Sequence, residues 1–133
     1  MAAKKNANIP QKEQIFSVID GFTPQQFLFL VQNRLAGIRR SGDPLKGRAY
    51  LERHYKDEKK FWICVCTARA TRRSKLLLFV REMVHLAVCD AGLLLDKNEQ
   101  YSPNPAVRKK LEKEAVKFFQ ENQRLVMETF MKF

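Results

Sequence analysis

The chain has 133 residues, 25 Lys or Arg against 14 Asp or Glu, a net charge of +11 and 45% apolar residues. Length and apolar content of this order support one domain with its own core and exclude wholesale disorder. The longest apolar runs, Phe61–Cys66 and Leu76–Val80, fall far short of the ~20 residues of a membrane-spanning helix, and the first residues lack the apolar stretch of a secretory signal. Three cysteines without framework spacing suit a reducing compartment, so an intracellular protein is expected, cytoplasm and nucleus being indistinguishable.

Taken in chain order, residues 1–9 read as a flexible N-terminal arm and 10–133 as a single helical domain. Thr23-Pro24, Asp43-Pro44 and Asn104-Pro105 each place a capping residue before a proline suited to the first helical position. Gln26, three residues after Thr23, adds a capping box. Gly21, Gly42 and Gly92 stand where helices stop. These signals predict helices over 11–20, 24–40, 44–57, 74–91 and 105–131, with 93–104 as a connection. Residues 61–69 have the aromatic and β-branched content of a strand. With no second convincing strand in the chain, a solitary one would leave its ladder groups unpaired, so a buried helix is expected here. A strand paired with another protomer is the exception. The fold class expected is therefore all-α, a compact bundle of five to six helices.

Residues 74–91 are apolar nearly all round, with Arg81, Glu82 and His85 as the polar stripe, which predicts a central helix. Residues 105–131 carry an apolar stripe of Val107, Leu111, Ala115, Phe118, Phe119, Leu125, Val126 and Phe130. The large apolar groups near its end, Leu125, Val126, Met127, Phe130, Met131 and Phe133, predict a homo-oligomer formed through this helix.

The charge is concentrated. Between Arg34 and Arg81, 48 residues hold fourteen Lys or Arg against four acids, whereas 82–133 is neutral with eight of each. A concentrated field points to a polyanionic partner. Arg39, Arg40, Lys46, Arg48 and Arg53 form one cluster, and Arg69, Arg72, Arg73 and Lys75 a second, with no acid within five residues of any member of the second. These nine are the candidate binding residues. Phosphate neutralisation is the expected chemistry, since arginine's planar fork suits phosphate oxygens. The partner expected is nucleic acid, RNA slightly favoured over DNA because the clusters are arginine-rich and base-edge readers are scarce. Tyr50, His54 and Tyr55 interleave with the cations and offer a stacking surface for unpaired bases. The alternative is a helical adaptor or inhibitor that docks an acidic protein through the same face. By composition alone, the length and charge would suit a viral or phage nucleic-acid-binding protein.

Catalytic motifs fail where chemistry needs them. Residues 42–49, GDPLKGRA, echo a phosphate-binding loop, but Arg48 replaces its lysine and Ala49 supplies no hydroxyl for magnesium. Asp43 with Glu58-Lys59-Lys60 imitates a nuclease triplet without the rigid sheet that triplet requires. Cys64, Cys66, His85 and Cys89 could number four zinc ligands, but the cysteines sit in an apolar run and lack the CxxC spacing. The expectation is a non-enzyme with no metal, cofactor or membrane partner.

Overall fold

A computed structural model describes residues 11–41, 49–54, 56–57, 60–66, 71–93 and 105–133. Among them are five helices and three strands: α1 (Gln11–Asp20), α2 (Pro24–Asn33), β1 (Leu35–Ser41), β2 (Ala49–Arg53), β3 (Phe61–Cys66), α3 (Arg72–Asp90), α4 (Pro105–Glu121) and α5 (Gln123–Met131). The fold is α+β, which corrects the all-α expectation.

Helix α1 ends at Gly21, and buried Phe22 turns the chain toward α2. Thr23 caps α2 as its sequence predicts, its hydroxyl accepting from the Gln26 amide at 3.2 Å with Pro24 in the first position. The helix then stops about seven residues early. Arg34 leaves helical geometry (φ −122°), and the chain runs on extended as β1.

The sheet has the order β1-β3-β2, with β3 central. β1 runs parallel to β3 (Ile38 beside Ile63, Ser41 beside Cys66) and β2 antiparallel to it (Ala49 beside Val65, Arg53 beside Phe61). Three sequence expectations fail together here. The second half of the 24–40 helix is β1, the 44–57 helix contains β2, and 61–69 begins as β3. A lone strand would leave its ladder unpaired, but β3 is not alone. The partners exist on either side of β3, and their ladder bonds satisfy its backbone within one chain. Gly37 carried the warning. In mid-helix it costs about 1 kcal/mol, whereas in β1 it permits a close approach. A methyl group at Gly37 would stand 2.6 Å from the Trp62 ring.

The two faces of the sheet differ. Leu35, Ile38, Ala49, Leu51, Phe61, Ile63 and Val65 join the core with α2 and α3. The opposite face carries Gly37, Arg39, Tyr50, Glu52, Trp62 and Cys64.

Helix α3 lies at the centre, as expected, and buries most of its surface from Leu76 to Val88. It is capped by Thr71, whose hydroxyl accepts from the Ser74 amide at 3.1 Å, and closes at Gly92 with φ +80°. The predicted 105–131 helix is broken at Asn122, which has left helical geometry (φ −138°, ψ 39°) and donates from its side chain to the Phe118 carbonyl at 3.0 Å. The break lets α5 fold back on α3. Phe118 and Phe130 then complete a run of ring contacts, with centroids at 4.8 Å for Phe22–Phe118, 5.3 Å for Phe118–Phe27, 5.9 Å for Phe27–Phe79 and 5.4 Å for Phe79–Phe130. The phenylalanine excess near the end of the chain is thus largely spent on the core. No helix among the described residues is long and apolar enough to cross a membrane.

The 1–9 arm, the caps at Asp43 and Asn104, Gly42, Tyr55, Glu58, Lys59 and most of the 93–104 connection lie outside the described residues.

Candidate nucleic-acid interface

Because β1 and β3 are parallel, their carboxyl ends coincide. Ser41 pairs with Cys66 there, and β2 starts at the same end with Ala49 beside Val65. Five residues after Cys66, Thr71 opens α3. The topology therefore brings the end of β1, the start of β2 and the first turn of α3 to one end of the sheet. Lys46, Arg48 and Arg69 fall outside the described residues.

The remaining six candidates divide. Arg72 and Arg73 are exposed and Lys75 is half-buried, all in the first turn of α3, where there is no acid. Among the described residues no carboxylate pairs with any of the three. Arg73 lies over the Phe119 ring at 5.3 Å. Arg40, from the end of β1, reaches the last helix: it donates to the main-chain oxygens of Phe133 at 3.0 Å and Phe130 at 3.4 Å, and covers the Phe130 ring at 4.7 Å. Arg40, Arg72 and Lys75 line one cavity of ≈ 260 Å³ with Leu76, Met127, Phe130 and Met131. Residues 32 to 35 apart in sequence thus meet across β1 and α3.

Arg39 and Arg53 stand apart. Arg39 is on the outer sheet face, paired with Glu52 at 2.6 Å and laid over Trp62 at 4.4 Å. Arg53 is at the far end of β2, over the Phe61 ring at 4.7 Å. Four residues of strand put it about 13 Å from Ala49. Of the stacking residues, His54 lies nearly parallel to Trp62 (16°, centroids 6.2 Å apart). Tyr50 hydrogen-bonds the Cys64 thiol, which with burial raises the Tyr50 pKa; burial raises that of Cys64.

Sequence reasoning missed two features. One is Thr71, which caps α3 three residues before the helix start inferred from apolar periodicity. Thr71, an N-cap residue type ahead of the apolar run, was the available signal. The other is the burial of Glu82, 0% exposed beside His85, which the sequence reads as a hydrogen-bonded core or groove residue and which is likewise 0% exposed. His85 Nδ1 lies 3.3 Å from Glu82 Oε1, and Arg81 Nε approaches Glu82 at 3.7 Å while its Nη1 donates to Glu112 at 2.8 Å. Burial alone would lower the imidazole pKa. Hydrogen bonds to Cys89 and Glu82, with the Glu82 charge, outweigh it and push the value up to about 9. The imidazole is thereby held toward its protonated form inside the core, beside Glu82. Nothing places it near the basic end, and among the described residues no group of three or more His, Cys, Asp or Glu is arranged to hold a metal.

Comparison with protein-family models, with curated proteins and with solved structures finds no match for this chain.

Proposed function

We propose that the basic end of the sheet binds nucleic acid through its phosphates, RNA in preference to DNA, without catalysis. The observation that carries this is the first turn of α3. Each cation there meets the positive end of the helix dipole, which costs about 0.3–1 kcal/mol apiece and favours anions instead. Arg72, Arg73 and Lys75 are three cations where intramolecular stability favours acids, and no described acid offsets them. An external polyanion supplies the compensation, and Arg40 extends the same cationic field onto the sheet.

A salt titration tests this reading. With about six phosphate contacts, log K falls against log salt with a slope of about −5 for duplex DNA and nearer −4 for single strands. Arg72→Ala/Arg73→Ala flattens the slope by up to about two, whereas Lys60→Ala changes it little. Absence of binding to every RNA and DNA probe at low salt removes the reading and leaves an acidic protein as the partner.

A further inference from the structure

Resting on that reading, we infer that the ligand is a single strand whose unstacked bases enter an apolar groove beside the phosphate contacts, between the first turns of α3 and helix α5. The groove has two lobes. The ≈ 260 Å³ cavity rimmed by Arg40, Arg72 and Lys75 adjoins one of ≈ 350 Å³ reaching Phe119 and Arg124, and Leu76 and Met127 line both. Its open surface is apolar: Met127 is 38% and Met131 66% exposed. Phosphates alone need no such surface, and a duplex keeps its bases stacked away from it. Unpaired bases do need it.

The shape favours flat groups. The Arg40 guanidinium lies over Phe130 and that of Arg73 over Phe119, so the groove is flanked by two cation-covered rings. Guanidinium planes of this kind stack on bases. Each lobe is near or below the lower end of the roughly 300–1,000 Å³ typical of small-molecule pockets, a size for one planar heterocycle. An amphipathic helix about 10 Å across needs a broader trough. Methionine adapts its unbranched chain to different partners, which suits bases of varied identity. The charge decides against a second copy of the chain. A symmetric pairing through this groove would set Arg40, Arg72 and Lys75 against their own equivalents.

The test separates bases from phosphates. Fluorescence anisotropy at one low salt concentration compares three probes of about 12 nucleotides: a mixed-sequence single strand, its duplex, and a fully abasic strand that keeps the phosphates. The base-bearing strand should bind at least about fivefold more tightly than the abasic one. Met127→Ala/Met131→Ala, at positions outside the core, should abolish that preference and leave the abasic affinity unchanged. Arg72→Ala/Arg73→Ala should weaken both strands by the same factor. Equal affinity for base-bearing and abasic strands, a preference for the duplex, or a preference that survives in the methionine variant overturns this inference while the phosphate reading stands. An acidic amphipathic peptide that binds through Met127 and Met131, with no preference for bases, also overturns it and assigns the groove to a protein. Failure to bind any of the three probes defeats the phosphate reading itself.

Discussion

Two stretches of one helix handle charge in opposite ways. In the middle of α3, Glu82 and His85 are fully buried one turn apart and meet through Oε1 and Nδ1, with Arg81 and Glu112 beside them. In its first turn, exposed Arg72 and Arg73 and half-buried Lys75 share one sign and have no described carboxylate partner. Removing either member of the buried pair alone strands the other in a low-dielectric core. The first-turn cations oppose the helix dipole, offset in part for Arg73 by its contact over the Phe119 ring. On the function proposed above, this is the charge that a polyanion would offset.

The largest effect expected from breaking this contrast is in the core. His85→Ala should destabilise by about 3–5 kcal/mol in urea denaturation, because Glu82 is left buried without the imidazole beside it. Glu82→Leu/His85→Leu should recover much of that loss, apolar side chains in a packed core needing no partner. A double variant no better than His85→Ala would show that the pair is not a unit.

The same pair makes stability depend on pH. The His85 pKa is raised in the folded state from 6.5 to about 9. Its contribution is therefore complete below about pH 6.5 and is lost as pH rises through about 9. The urea midpoint should fall across that window, and the fall should shrink in His85→Gln. A flat profile in the parent protein would contradict the imidazolium assignment.

The smallest effect sharpens the other side. Arg72→Gln should raise stability by about 0.3–1 kcal/mol through relief at the helix terminus. Arg73→Gln should be near neutral, since it also gives up the contact over Phe119, worth about 0.5–1 kcal/mol. Thermal denaturation at low salt measures both. A loss of stability in Arg72→Gln would mean that this cation has a structural role after all.

Local signals served well where one element could be judged from its own residues. Gly21, Thr23-Pro24 and Pro105 marked real helix boundaries, and the all-round apolar pattern of 74–91 identified the central helix. They failed where two readings shared a pattern. Leu35, Ile38 and Leu51 fit a helical stripe as well as a strand, and β2 is only five residues long. Outward-facing Arg39 and Glu52 made those partners look like helix surface. With its neighbours read as helix, β3 stands alone in the sequence, and a lone strand leaves its backbone unpaired. At the candidate site, the concentration of charge was legible; which cations gather was not. Nothing local places Arg40 beside Arg72 while sending Arg39 to the other side of the sheet.

By itself, the sequence determined the excess of positive charge between Arg34 and Arg81, several helix boundaries and the apolar content that guarantees a core, because each depends on residues close together in the chain. Tertiary structure decided the rest. Parallel pairing of β1 with β3 sets their carboxyl ends side by side, strand alternation sends Arg39 and Arg40 to opposite faces, and the break at Asn122 brings Met127 and Phe130 against the first turns of α3. Such outcomes arise from burying one face of a sheet and one stripe of each helix at the same time, a condition that no short stretch of the chain contains.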